Sequence, residues 1–316
     1  MILCFALGLS AAIARSDLTV PEAAAKMMSL YLLFAIGFKG GVAVADHGLD
    51  GHLIGALVGG VALSFGLPFV AFALLRGLTK LSALDAAAVA AHYGSISIVT
   101  FVTATSVLAA RGIASEGYMV AVAAAMEAPA IVSALWLVSR SGNASGKVSE
   151  VRLDARLWHE ILLNGSIVLL VGSFLIGLVT GAPGMARIDA FIVAPFQGVL
   201  CLFLLDMGLV AGRGLRGARG ILDWRAVAFG LIMPMIGAVA GLGVALLLGL
   251  STGGVALMMV LAASASYIAV PAAMRVALPE ANPSIYLTLS LGVTFPFNLI
   301  IGIPAYVAVA VALTQG

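Results

Sequence analysis

Residues 92–100 read His92-Tyr93-Gly94-Ser95-Ile96-Ser97-Ile98-Val99-Thr100, and residues 263–271 read Ala263-Ser264-Ala265-Ser266-Tyr267-Ile268-Ala269-Val270-Pro271. Each stretch interrupts an apolar run longer than the roughly 20 residues a membrane helix needs. Each sets hydroxyls at mid-run, where lipid would favour carbon. A helix broken by small polar residues can unwind there, and its freed N–H and C=O groups must then be met by protein, water or substrate. Pro271 removes a further backbone donor. Glycine and serine also serve plain helix packing in membranes, but two hydroxyl-rich breaks at matching positions argue for a binding site.

The chain around these stretches suits lipid better than water. Of 316 residues 62% are hydrophobic and 9% charged, and the mean hydropathy is +1.17. That is more apolar surface than a soluble core of this length buries. Apolar segments lie near residues 25–45, 52–75, 82–110 and 117–138, then near 159–180, 190–212, 224–249, 251–278 and 284–313. Residues 139–158 between the two sets form the one long polar stretch and read as a linker loop. Residues 2–14 are apolar but short, and no basic leader precedes them as in a signal peptide; they read as a first helix with a shortened outer end. The expectation is an all-α membrane protein of ten transmembrane helices. Cys4 and Cys201 both fall in apolar segments and read as packing or lipid-facing residues.

Charge sets the orientation. With ten helices, Arg15, Lys26, Arg76, Lys80, Arg140, Lys147, Arg152, Arg156, Arg213, Arg216, Arg219, Arg225 and Arg275 fall on one side, and Lys39, Arg111 and Arg187 on the other. The basic side is cytoplasmic, which puts both termini outside and the 139–158 loop inside. The net charge of +2 gives no reason to expect a nucleic acid partner. Lys39 and the run Gly212–Gly220 read as interfacial anchors, the latter also able to meet anionic lipid.

The two halves resemble each other. Residues 33–41 align with 204–212, Gly94-Ser95-Ile96-Ser97 with Ala263-Ser264-Ala265-Ser266, and Met126-Glu127-Ala128-Pro129 with the neighbourhood of Phe295-Pro296-Phe297-Asn298, all at an offset of about 170 residues. Five helices per half make the second copy enter the membrane from the opposite face. The halves are then 1–138 and 159–316, joined by 139–158, with core and gate subdomains drawn from both.

In such repeats substrates bind where broken helices meet, with half-helix N-termini turned toward anions. Gly94, Ser95, Ile96, Ser97, Thr100, Ser264, Ala265, Ser266 and Tyr267 are the expected substrate-binding residues, for an anion of bicarbonate size. Ionisable groups inside the bilayer point to function. Glu127, with Asn298 and Thr294 from the matching region, offers the hard oxygen ligands that sodium takes, and Asp206 is a further cation-site candidate or a helix-end partner of Arg213. His92 reads as a hydrogen-bonded structural group.

The residues Ser16-Asp17-Leu18-Thr19-Val20-Pro21-Glu22, Tyr31-Leu32-Leu33-Phe34-Ala35-Ile36-Gly37-Phe38-Lys39-Gly40-Gly41 and Ala263-Ser264-Ala265-Ser266-Tyr267-Ile268-Ala269-Val270-Pro271-Ala272-Ala273 resemble the sodium-dependent bicarbonate permease family of cyanobacteria over nearly the whole chain. That resemblance implies two inverted five-helix repeats, a core and a gate, broken fourth and ninth helices, a homotrimer and sodium-bicarbonate symport. It also implies a possible small trimeric nitrogen-regulator-like partner on the cytoplasmic face. Asp206 stands where the family pattern leads one to expect glutamate.

The expected function is therefore sodium-coupled symport of bicarbonate across a bacterial inner membrane, with sodium as the coupling ion and no organic cofactor. A sodium- or proton-coupled carrier of another small anion, such as an organic acid, shares this architecture. A passive anion channel fits less well, because a fixed Glu127 charge on its path would raise the barrier. The chain lacks a Walker glycine loop, an HExxH motif and a GxSxG elbow, so neither ATP-driven pumping nor membrane hydrolysis has its machinery and no enzyme activity is expected.

Overall fold

A computed structural model describes residues 2–47, 51–142, 163, 165–217 and 223–314, and the described residues are helical with no strand. The chain begins with α1 (Ile2–Ile13), α2 (Glu22–His47) and α3 (Gly51–Leu78). Two short helices in line follow, α4 (Ala83–Gly94) and α5 (Ile98–Ala110), then α6 (Met119–Ala125) and α7 (Pro129–Gly142). After the polar stretch come α8 (Gly165–Ile192), α9 (Phe196–Gly217), α10 (Trp224–Leu247), α11 (Thr252–Ala263) and α12 (Ala269–Ala277). The last stretch is α13 (Pro283–Leu287), a π-helical turn Thr288–Thr294, α14 (Phe295–Phe297), a second π-helical turn Asn298–Gly302 and α15 (Ile303–Thr314).

Eight stretches among the described residues are long and apolar enough to cross a membrane: Glu22–Asp46, Gly51–Leu78, Ala83–Ala110, Met119–Arg140, Ile167–Ile192, Phe196–Arg216, Trp224–Leu247 and Pro283–Thr314. Two apolar helices, α1 and α11, have 12 residues each and fall short of that length. α1 stops where its apolar run does, at an exposed Arg15 in the left-handed region (φ 62°). The sixth run extends further than its hydropathy suggests. α8 continues to Ile192 through a kink at Gly181 (φ 55°), two residues before Pro183. Residues 143–158, with Lys147, Arg152 and Arg156, and also Arg219, lie outside the described residues.

The helices pack in two groups. In one, α2 lies along α8, α1 along α9, and α9 touches α2. The first helix of each half thus packs on the second helix of the other. The α1–α9 seam is closed by glycine: a Cβ on Gly8 would run into the backbone of Leu205, and one on Gly208 into that of Phe5. Membrane helices approach this closely only through such small residues. In the other group α3 packs on α4 and α7, α10 on α11 and α3, and α11 on α15. Buried prolines sit mid-way along α3 (Pro68) and α10 (Pro234).

Candidate functional site

Both interrupted runs unwind at their hydroxyls. α4 ends at Gly94 and Ser95 turns extended (φ −86°, ψ 161°); α11 ends at Ala263 and Ser264 turns extended with nearly the same dihedrals (φ −84°, ψ 163°). The half-helices reach this point from opposite faces. At the start of α4, Asp85 accepts a hydrogen bond from the Asn282 N–H (2.9 Å), whereas at the start of α11 the Ser251 N–H donates to Glu116 (2.7 Å) in the connection after α5.

The two breaks are bonded to each other. Ser97 N–H donates to Ser264 Oγ at 2.9 Å, and Ser266 N–H donates to the His92 carbonyl at 2.8 Å. Ser97 also caps α5: its Oγ accepts from the Thr100 N–H (3.3 Å) and the Thr100 hydroxyl (2.9 Å). The first turns of α5 and α12 therefore begin at the crossing with their N–H groups and positive dipole ends turned toward it. Ser95, Ser97, Thr100, Ser264, Ser266 and Tyr267 are all buried, as are Gly94, Ile96 and Ala265. Every residue that the sequence assigned to an anion site lies at this crossing. The Tyr267 hydroxyl lies close to Ser97 yet has no well-aligned hydrogen bond, and its ring meets Phe295 edge-on at 5.3 Å.

Gly94 is fixed by contact. A Cβ there would collide with the Pro68 ring and come within 2.6 Å of the Ser64 carbonyl oxygen. Pro68 lacks the N–H that this carbonyl would accept within α3, so the end of α4 rests on a proline-modified stretch of its neighbour.

Glu127 sits in a break of its own. The fifth apolar run was expected as one helix, but α6 stops at Ala125 and α7 starts at Pro129, leaving residues 126–128 as a turn. Pro129 is the signal that marked it, since it supplies no donor to the preceding turn. Ser64 Oγ donates to the freed Met126 carbonyl (2.6 Å), and Ser95 Oγ donates to Glu127 Oε2 (2.7 Å). The carboxylate is thus joined to the crossing through Ser95.

Asn298 holds the corresponding place on the other break. Its Nδ2 donates to the Ala263 carbonyl at the end of α11 (2.8 Å), and its Oδ1 accepts from Tyr306 (3.1 Å). It begins a π-helical turn, a distortion frequent at functional positions. Thr294 is drawn elsewhere. Pro234 deprives the Gly230 carbonyl of its helical donor, and Thr294 Oγ1 supplies one at 2.7 Å while accepting from Tyr93 Oη, also at 2.7 Å. No hydrogen bond among the described residues joins Glu127 to Asn298 or Thr294. Asp206 is buried on α9, among helices of the first packing group, with Arg213 as the cation whose field it feels. His92 Nδ1 donates to the Ala88 carbonyl (2.6 Å) and the ring stacks on Tyr286 at 4.4 Å, while its buried Nε2 has no hydrogen-bond partner among the described residues.

Two cavities flank the half-helices that begin at the crossing, one beside α5 and one beside α12. One, of about 250 Å³, runs between α2, α9 and α5 and is lined by Lys39, Phe101, Ser106 and Gln197. The other, of about 750 Å³, is lined by Tyr267, Pro271, Arg213, Arg275 and Thr288.

No curated protein matches the chain. The family model of the Na+-dependent bicarbonate transporter superfamily matches residues 1–311, so this chain belongs to that superfamily and is a multi-pass membrane transporter.

Proposed function

We propose that the protein is a sodium-coupled symporter of bicarbonate, with the anion held where the α4–α5 and α11–α12 breaks meet. The observation that carries this reading is the pair of hydrogen bonds, Ser97 N–H to Ser264 Oγ and Ser266 N–H to His92 carbonyl, which bring two half-helix N-termini and several hydroxyls to one buried place. Neutral donors and positive dipole ends suit a small oxyanion. Glu127, one hydrogen bond away through Ser95, is the carboxylate that a sodium ion would neutralise, with oxygens of the α6–α7 turn beside it. Asn298 is a second oxygen donor at the matching break.

Bound sodium and bound anion stabilise each other across this distance, and that reciprocity is what couples their transport. On this reading α1 and the α11–α12 pair complete ten spans arranged as two inverted repeats, 1–138 and 159–316. The group α1, α2, α8 and α9 is the gate, and the remainder is the core that carries the site. The basic side faces the cytoplasm of an inner membrane, with both termini outside.

The test is uptake of labelled bicarbonate into proteoliposomes with and without an inward sodium gradient. The reading requires gradient-driven accumulation that collapses when the gradient is dissipated, and uptake indifferent to sodium rejects it.

A further inference from the structure

Lys39 does not sit where an anchoring lysine would. It lies inside α2, with His47 eight residues further on, about 12 Å along the axis at 1.5 Å per residue. Its side chain turns into the 250 Å³ cavity between the two packing groups. A charge held inside a membrane helix and facing a cavity marks a ligand path by default.

The ammonium rests on an aromatic face and has no ion-paired carboxylate among the described residues. Nζ stands 4.3 Å over the Phe196 ring. Asp189 is the carboxylate whose field reaches it, yet no ion pair joins them among the described residues. The one carboxylate lining the cavity, Glu116, is already engaged by the N–H and hydroxyl of Ser251 at 2.7 and 3.0 Å. Neutral polar groups stand nearby: Gln197 Nε2 reaches Ser106 Oγ at a long 3.5 Å. The wall then descends along one face of α5 through Thr105 to Phe101, one turn from Ser97 and next to Thr100 of the crossing. In the other cavity Arg213 already donates to the Leu18 carbonyl at 2.9 Å, and Arg275 lies near the Tyr286 side chain.

We propose that Lys39 is a docking residue for the small oxyanion, forming an outer subsite with Ser106 and Gln197 from which the anion passes along α5 to the crossing. The proposal rests on the symport reading for the identity of the anion. A cation facing a cleft whose carboxylate, Glu116, is held by Ser251 still attracts a small anion at short range. It does so without contributing to the crossing itself, so its loss should appear in apparent affinity and not in maximal rate.

The experiment compares wild type, Lys39→Gln and Lys39→Arg in proteoliposomes by initial bicarbonate uptake. We expect Lys39→Gln to raise the half-saturating concentration about tenfold at low ionic strength, with maximal rate within about twofold. The difference should shrink toward 1 M inert salt, where the screening length falls to about 3 Å. Lys39→Arg should keep most of the affinity. A second readout needs no transport: the bicarbonate concentration that half-saturates the thermal shift of the detergent-solubilised protein should rise by a similar factor in Lys39→Gln. Uptake in wild type with unchanged half-saturation in Lys39→Gln overturns the docking role alone. If wild-type uptake is not sodium-driven, the symport reading falls, and the thermal-shift comparison still decides on Lys39, an unchanged value overturning its role.

Discussion

Ser95 Oγ donates a 2.7 Å hydrogen bond to Glu127 Oε2, tying the residue that ends α4 to the carboxylate in the α6–α7 turn. A hydrogen bond to a charged group contributes about 1.5–3 kcal/mol, so Ser95→Ala should weaken apparent sodium affinity by roughly tenfold, while Ser95→Thr, which keeps a hydroxyl, should recover part of it. Sodium titration of uptake reads this directly. Equal sodium dependence in wild type and Ser95→Ala would show that the bond only positions the turn.

The two serines of the second break have different duties. Ser264 offers its side chain to the Ser97 N–H, whereas Ser266 bonds His92 through its backbone, its hydroxyl reaching only the Val270 N–H at 3.4 Å. Ser264→Ala leaves a buried N–H without its acceptor, at a cost of about 1–3 kcal/mol. Ser266→Ala should cost well under that. Melting temperatures of the two variants in one detergent give the order, and a larger loss in Ser266→Ala contradicts the bonding seen at the crossing.

Much of this site was legible in the sequence because its signals are local. A helix that must break announces it with glycine, hydroxyls and proline on the spot, and Gly94–Thr100 and Ser264–Pro271 break where they say. The α6–α7 turn was missed although Pro129 was in view, because proline disrupts the turn before it and the run looked evenly apolar. Thr294 was grouped with Glu127 by proximity in the repeat. Its true partner is a carbonyl freed by Pro234, 60 residues earlier in the chain, and no one-dimensional pattern joins those two. Lys39 read as an anchor for the same reason, since which face of α2 meets a cavity is decided by helices far off in sequence.

Gly94 and Gly66 lie in neighbouring helices but in opposite surroundings. A methyl at Gly94 meets Pro68 and the Ser64 carbonyl, whereas one at Gly66 meets nothing within 4 Å. Gly94→Ala should therefore destabilise by about 1–3 kcal/mol through overpacking and depress uptake. Gly66→Ala should be neutral or stabilising by up to about 1 kcal/mol, the helix-propensity gain. Thermal unfolding of both proteins provides the check, and similar melting points would mean that α4 does not rest on α3 as described.

Cys4 on α1 and Cys201 on α9 lie near each other toward one end of the glycine seam, close enough for the thiols to influence one another. In the sequence alone both read as packing or lipid-facing residues. Mild oxidation with copper phenanthroline should join them within one chain, detectable as an intact mass lower by two hydrogens and reversed by dithiothreitol, and absent in Cys4→Ser. Failure to cross-link while both thiols remain reactive to maleimide would mean that α1 does not pack on α9 at that end, and would remove the first helix from the ten-span reading.

Glu127 decides whether coupling runs through this site. It is buried, and among the described residues its one side-chain hydrogen bond comes from Ser95, so a charge there has little but a bound cation to balance it. Burying an unpaired carboxylate is costly, and a sodium ion beside it relieves that cost while drawing the anion toward the adjacent N-termini of α5 and α12. Glu127→Gln keeps the size and one carbonyl oxygen but removes the charge. Sodium dependence and maximal uptake should fall together, by about tenfold or more, since the coupling free energy is reciprocal, while yield and melting temperature stay near wild type because the amide can still accept from Ser95. Asn298→Ala, by contrast, strips the end of α11 of the donor to the Ala263 carbonyl and should lower the melting temperature as well as uptake. Normal transport with unchanged sodium dependence in Glu127→Gln would leave Glu127 as a structural group and direct the search for the cation to Asp206.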